Sequence, residues 1–236
     1  MAAFGIPSRL AKLLPRFAPE ATSKAESAAT TALDWAVDNA WDDALRRADE
    51  AEGRDVDEQV KDLWTSFGKE LGAVGAATGG VAAIPTVGTA TSLAASAAEF
   101  GWFTKRAAEL ILSIAVLRGH RVSTPEQRRA WVMAVLLYGK KASKEFRRIA
   151  DEAGASGVNA LSLPTSVLAR INGSLGRKAI TRYATRRAAI AAGQAVPFGI
   201  GAVVGAGANY WATRRLARQA DTFFRKLPRT PVAPQR

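Results

Sequence analysis

Apolar residues recur three and four positions apart through much of the chain, the spacing that places them on one face of an α-helix. The pattern begins after Ser23 and continues to Gly53, and a second segment with the same spacing runs from Val56 to Leu71. No segment shows the strict alternation of apolar and polar residues that is typical of a strand. The sequence therefore predicts an all-α protein built as a multi-helix bundle.

Two stretches, Leu71 to Ala98 and Ala188 to Thr213, contain no charged residue and consist mainly of Gly, Ala, Ser and Thr. Each has one proline near its middle, Pro85 in the first and Pro197 in the second. A central proline favours a bend in a helical segment. The two stretches are therefore predicted to form Gly/Ala-rich helical hairpins.

Each hairpin carries a Gly-x-x-x-Gly pair, Gly75 with Gly79 and Gly201 with Gly205. Small residues four positions apart on a helix allow a second backbone to approach closely. We therefore predict close helix packing at these four glycines.

The rest of the chain carries further helix signals. Ser123 to Gln127 combines a cap, a proline at the first helical position and a glutamine placed for a capping box. The other predicted elements are a helix on residues 103–117 ended by Gly119, the capped helix to Gly139, a basic helix from Lys140 to Ala153 with Arg147–Asp151 and Arg148–Glu152 pairs, a linker from Gly154 to Ser162, a helix from Leu175 to Gly193, and a last helix from about Phe198 to Leu227 that Pro228 ends.

The net charge of +12 is unevenly distributed along the 236 residues. Residues 23–70 hold six basic and thirteen acidic residues, whereas residues 71–236 hold twenty-four basic and seven acidic ones. We expect a basic, partly disordered segment at 1–22, an all-helical domain at 23–227 and a disordered tail at 228–236. Within the domain, 23–70 would form an acidic helical hairpin and 71–227 a basic Gly-rich core.

Signs of catalysis or of a cofactor are weak. The chain has no cysteine and one histidine, His120, which we expect to be a solvated residue in a loop. The glycines at 199, 201 and 205 miss the spacing of a dinucleotide fingerprint, and no strand precedes them. We therefore predict no enzyme activity, no catalytic residue, no metal and no cofactor.

The Gly-rich stretches exceed the roughly 20 residues that span a bilayer, but their large apolar residues are too few for more than marginal insertion. Two arrangements of these stretches agree with their composition. In one, each stretch forms a re-entrant or interfacial hairpin at the membrane; in the other, each forms a closely packed hairpin inside a soluble core. Basic residues follow one helix face at Lys178, Arg182 and Arg186, and others flank the second stretch at Arg214 and Arg218. We predict that these five residues contact anionic lipid, because no nucleic-acid motif accompanies them.

Three segments together resemble the EcsC family: the Gly-rich run from Gly72 to Gly80, Ile114 to Gly119 at the end of a helix, and the late run from Val196 to Tyr210. Glu99 lies where the family carries an acidic residue, and Asn209 is a second family-like polar position. Arg118 replaces the usual tyrosine before the glycine. The resemblance implies a bacterial helical protein, a founding member encoded beside an ABC transporter, and no established catalytic residues.

The leading hypothesis is a non-enzymatic protein at the cytoplasmic membrane surface or in a membrane-associated, transporter-linked complex. Its partners would be anionic membrane lipid and a membrane protein or transporter component. One alternative is a soluble helical scaffold that binds a partner protein through its acidic hairpin. Another is a membrane-perturbing effector that inserts its Gly-rich hairpins. The absence of a secretory signal predicts a cytoplasmic, peripherally membrane-associated protein, and the oligomeric state stays open.

Overall fold

The computed structural model describes residues 31, 34–81, 104–155, 163–176, 178 and 201–228, without the side chains of 74–81 and 201–209. The described part contains helices and no strand, which confirms the predicted all-α bundle. The helices are α1 (34–38), α2 (Trp41–Glu50), α3 (Val56–Val81), α4 (104–117), α5 (Pro125–Tyr138), α6 (Ala142–Ala150), α7 (165–176) and α8 (Gly201–Phe224). A 3-10 turn (Gly139–Lys141) precedes α6, and a π-helical turn (Asp151–Ala155) follows it.

Helix α4 forms the centre of the bundle. Every residue from Ala108 to Val116 is buried, including Glu109 and Ser113. A helix that is apolar on all sides must be surrounded by other helices. The predicted end of this helix is confirmed, since Gly119 follows it with a φ of 93°, a conformation that favours glycine.

Helix α3 is continuous from the acidic region into the first Gly-rich stretch, so no break separates residues 70 and 71. It packs antiparallel to α8. Asp57 near the start of α3 pairs with Arg225 beyond the end of α8, whereas Trp64 and Gly68 contact Tyr210, further toward the start of α8. The C-terminal half of α3 and the N-terminal half of α8 therefore lie at the same end of this helix pair.

Helix α5 begins as predicted. The Thr124 side chain accepts a hydrogen bond from the Gln127 backbone, and the Gln127 side chain accepts one from the Thr124 backbone. Pro125 occupies the first helical position. This capping box fixes the start of α5, and Gly139, with a φ of 53°, ends it.

Some predicted details were wrong. His120 is fully buried rather than solvated, because its ring packs between Trp131 and Phe224, with Nε2 3.3 Å from the Phe224 carbonyl oxygen. Helix α7 begins well before Leu175, since the Pro164 carbonyl already accepts its first backbone hydrogen bonds. In α6, Arg148 makes the predicted pair with Glu152, whereas the described residues show no Arg147–Asp151 pair.

Candidate functional site

Among the described side chains of α8, the most exposed apolar one lies beside the arginines of this helix. Trp211 is 60% exposed and Tyr210 is 37% exposed. Tyr210, Arg214 and Arg218 follow one another at four-residue intervals, and Trp211 and Arg215 form a parallel row. Residues four apart share a helix face, so these five side chains form one exposed surface, here called the α8 surface.

The aromatic end of the α8 surface rests on α3. Tyr210 packs edge-on against Trp64, with ring centroids 5.7 Å apart. A methyl group at Gly68 would lie 2.6 Å from Cδ2 of Tyr210, so the tyrosine ring needs a glycine at this position. The Tyr210 ring of the α8 surface thus packs directly against the α3 backbone at Gly68.

The arginines of this surface contact aromatic rings. The guanidinium of Arg214 lies 5.4 Å from the centroid of Trp64, and that of Arg215 lies 5.3 Å from the centroid of Trp211. Within the described ranges, no carboxylate forms an ion pair with Arg214, Arg215 or Arg218. Their charges therefore have no counter-charge within the part of the chain that the structure describes.

Further basic residues lie close to this surface. The turn Gly139–Lys141 packs on α8, where a methyl group at Gly139 would meet the Gln219 amide at 2.9 Å. Lys140 and Lys141 are both exposed in that turn. Lys178 is also exposed, with its amine 5.9 Å from the ring centroid of Tyr138. These lysines enlarge the basic area around the arginines.

The acidic region has its counter-charges inside the same chain. Carboxylates of residues 34–70 are paired with basic side chains from the later sequence: Lys105–Asp43, Arg106–Glu70, Arg118–Asp57, Arg121–Asp49, Arg129 with Asp34 and Asp38, and Arg225–Asp57. Hydrogen bonds from Arg225 and Arg118 lower the pKa of Asp57 to about 2. The acidic helices are thus docked electrostatically on the basic core.

The innermost part of this docking is a four-residue network. Arg47 bonds Glu70 at 2.6 Å and the fully buried Glu109 at 3.1 Å, and Arg106 bonds the same two carboxylates. Both guanidiniums lie over the ring of Phe67, 4.7 and 5.0 Å from its centroid. Burial opposes ionisation of Glu70, but hydrogen bonding and charge from Arg47, with the charge of Arg106, outweigh it and lower its pKa. The network is balanced in charge and joins α2, α3 and α4.

The residues proposed from sequence are only partly described. Arg214 and Arg218 lie together on the α8 surface, whereas Lys178 is exposed beside Tyr138. The predicted close-packing positions Gly75 and Gly79 are in α3 and Gly201 and Gly205 are in α8, but the packing around them lies outside the described residues, as does the side chain of Asn209. Arg182, Arg186 and Glu99, and the turns at Pro85 and Pro197, also lie outside the described residues.

The site residues predicted from the sequence did not include Trp211, Arg215 or Gly68. Trp211 is 60% exposed, and Trp35 in the acidic region is 53% exposed. The available signal was the order Tyr-Trp-Ala-Thr-Arg-Arg, in which aromatic and basic residues meet where a charge-free stretch ends. That order is typical of the membrane interface.

The described helices include none that combines the length and apolar character needed to cross a membrane. In the same part of the chain, no group of three or more His, Cys, Asp or Glu side chains could hold a metal ion.

Comparison with curated proteins and with solved structures finds no match to the chain. The family model described as the EcsC protein family matches residues 9–226, nearly the whole chain. The chain belongs to the EcsC protein family.

Proposed function

We propose that this protein binds the surface of an anionic membrane through the α8 surface and has no enzymatic role. The observation that carries the proposal is the exposed indole of Trp211 beside Arg214, Arg215 and Arg218, none of which has a carboxylate partner among the described residues. A partner for this surface must offer apolar groups to the indole and phosphate groups to the guanidiniums. The headgroup region of an anionic membrane offers both.

The energies fit peripheral binding. Tyrosine and tryptophan concentrate at the membrane–water interface, where the ring and its polar edge are both accommodated. Each arginine near an anionic surface contributes about 1 kcal/mol. Three arginines and one indole therefore give useful affinity without a transmembrane segment. We expect the protein to bind the membrane peripherally from its cytoplasmic side. A membrane protein or transporter component at that membrane would be its second partner.

The scaffold alternative receives less support. It needs the acidic helices to be free for a partner protein, yet six of their carboxylates, those of Asp34, Asp38, Asp43, Asp49, Asp57 and Glu70, are paired with later cations of the same chain. A partner would have to displace these ion pairs. The alternative in which hairpins insert fully would need the residues on either side of Pro85 and Pro197 to enter the bilayer.

Flotation with vesicles tests the proposal. Wild-type protein should float with vesicles that contain phosphatidylserine and much less with pure phosphatidylcholine, and added salt should weaken the binding. Trp211→Ala should weaken binding roughly tenfold, since about 1.4 kcal/mol of lost apolar burial corresponds to a factor of ten.

Trp35→Ala is the matched control, because Trp35 is a similarly exposed indole in the acidic region. This variant should bind as wild type does. Equal flotation with neutral and anionic vesicles, or equal loss in the two tryptophan variants, would contradict the proposal.

A further inference from the structure

We infer that the protein binds the membrane with the axis of α8 parallel to the lipid surface, so that basic residues of α6 contact lipid together with the α8 surface. The inference rests on the proposed membrane binding and adds a second contact and an orientation. It is carried by the packing of α6 on α8 and by the charges on either side of that contact.

The turn before α6 and α6 itself both pack against the C-terminal half of α8. A methyl group at Gly139 would lie 2.9 Å from the amide nitrogen of Gln219. The rings of Phe146 and Phe223 meet edge to face, with centroids 5.7 Å apart. Helices in contact have axes about 8–10 Å apart. Charged side chains that border this contact on either helix can therefore reach the same lipid surface.

Three exposed cations border the contact on the α6 side. Lys140 directly follows Gly139. Arg147 directly follows Phe146, and Lys144 lies between the two other cations, four residues after the first and three before the second. Residues at such spacing share a helix face. Within the described ranges none of the three forms an ion pair with a carboxylate. Lys140, Lys144 and Arg147 are here called the α6 edge.

The exposed residues of α8 continue along the other side of the same contact. Arg218 directly precedes Gln219, which touches the turn, and Thr222 directly precedes Phe223, which touches α6. Arg218, Thr222 and Lys226 are all exposed, and the two cations among them have no carboxylate partner in the described part of the chain. The basic side chains of α8 therefore extend along its whole contact with α6.

The carboxylates of α6 do not cancel these charges. Glu145 and Glu152 both pair with Arg148. Asp151 is exposed beyond the end of α6 and opposes one charge of the α6 edge. The two sides of the contact therefore keep a positive surplus, which suits an anionic lipid surface.

The α3 side of α8 carries no such surplus. The exposed charged residues of α3 from Glu58 onward are two of each sign: Glu58, Lys61, Asp62 and Lys69. Where α3 meets the end of α8, Asp57 and Asp221 are paired with Arg118 and Arg225. A side that is balanced in charge gains little from anionic lipid. The membrane should therefore contact α8 and α6 rather than α8 and α3.

Distances along α8 decide between an upright and a flat arrangement. Gln219 and Phe223, which touch the turn and α6, lie about 12 and 18 Å from Trp211 along the helix at 1.5 Å per residue. Attraction to a charged surface falls off over a Debye length of about 8–10 Å at physiological salt. If α8 stood upright on its Trp211 end, the α6 edge would lie outside this range. A flat α8 brings Trp211, Arg218 and the α6 edge to the lipid together.

Two double variants with the same change in charge test the α6 contact. Lys140→Gln/Lys144→Gln removes two charges from the α6 edge, and Lys61→Gln/Lys69→Gln removes two from the α3 side. All four lysines are exposed, and circular dichroism checks the fold of each variant. The α6 double variant should weaken partition into phosphatidylserine-containing vesicles roughly 30-fold, whereas the α3 double variant should weaken it less than about fivefold.

A dye on α8 tests the orientation directly. The chain has no cysteine, so Thr222→Cys carries a single environment-sensitive dye on the exposed side of α8. Its emission should shift to shorter wavelength when the protein binds anionic vesicles. The matched control is Asn39→Cys, an exposed position in the acidic region, where the emission should not change.

The outcomes separate this inference from the proposed function. Equal weakening by the two double variants, or a dye at residue 222 that does not respond on vesicle-bound protein, would overturn the inference while the membrane binding stands. An α6 double variant that loses binding to a short oligonucleotide but keeps vesicle binding would assign the α6 edge to nucleic acid, which also overturns it. Failure of the wild-type protein to bind anionic vesicles would overturn the proposed function and the inference together.

Discussion

Arginines serve two opposite purposes in this molecule. Arg47 and Arg106 lie inside the α2–α3–α4 network, where two shared carboxylates and the face of Phe67 satisfy them. Arg214 and Arg215 also lie over aromatic rings, but no described carboxylate pairs with them. The first pair joins three helices, whereas the second pair has the lipid-binding role proposed above.

The difference shows that net charge alone does not locate a binding surface. Part of the basic surplus pairs with the acidic helices, through residues such as Arg118 and Arg129. On α8 and in the turn beside it, Arg214, Arg215, Arg218, Lys140 and Lys141 form no ion pair with a carboxylate among the described residues. The distinction predicts that substitutions in the network affect stability, whereas substitutions on the α8 surface affect binding.

The largest effect is expected from Glu109→Ala. This change leaves Arg47 and Arg106 partly buried with only Glu70 as a partner, and loss of one member of a buried pair typically costs about 3–5 kcal/mol. Urea unfolding would measure the change in the free energy of unfolding. Glu50→Ala is the control, because its solvent-exposed pair with Arg46 should contribute little to stability. Equal losses of unfolding free energy in the two variants would show that the buried network stabilises the fold no more than an exposed ion pair does.

Gly201→Leu and Gly205→Leu test close packing in the charge-free half of α8. If neighbouring backbone approaches these glycines, a leucine would cost about 1–3 kcal/mol through overpacking. Gly201→Ala should cost much less, or stabilise the helix by up to about 1 kcal/mol. Thermal unfolding gives the comparison. Leucine variants as stable as wild type would show that no neighbouring backbone packs closely against Gly201 and Gly205.

Gly68→Ala gives a smaller effect that the structure localises. The added methyl group would lie 2.6 Å from the Tyr210 ring, and we expect a loss of about 1 kcal/mol once helix propensity offsets part of the clash. In a Tyr210→Ala background the same substitution should instead stabilise, because the clash is gone. The interaction energy from this double-mutant cycle is the readout. Additive changes would show that the two positions do not touch.

The smallest effect concerns Asp57 and pH. Hydrogen bonds from Arg225 and Arg118 lower its pKa to about 2, well below the usual range of an aspartate. The stabilisation is therefore fully present above about pH 4 and is lost as pH falls toward 2. Asp57→Asn should melt below wild type at pH 5, and the difference should shrink between pH 4 and pH 2. A difference that stays constant down to pH 2 would contradict the assignment.

Local signals in the sequence predicted much of the fold. The capping box at Thr124 and Gln127 and the helix end at Gly119 are confirmed because each depends on neighbouring residues alone. The buried face of α3, with Val60, Leu63 and Phe67, follows from helical spacing. Fold class and most helix faces could be derived in this way.

Features that depend on distant residues could not be derived. His120 looked like a loop residue because the rings of Trp131 and Phe224 that enclose it are remote in sequence. The role of Gly68 depends on Tyr210 of α8, far along the chain. The ion pairs of Arg118 could not be predicted, because its partners Asp57 and Asp221 lie on other helices. For the candidate site, the sequence supplied Arg214 and Arg218 but not their aromatic neighbours.

The most direct test of the account compares two triple variants with the same change in charge. One replaces Arg214, Arg215 and Arg218 with Gln, and the other replaces Arg46, Arg54 and Arg121, exposed arginines of the acidic region and its neighbouring loops. At about 1 kcal/mol per arginine, the first triple should weaken partition into phosphatidylserine-containing vesicles roughly 100-fold. The second should bind nearly as wild type does. Equal weakening by both triples would show that only net charge matters, and would contradict a binding surface on α8.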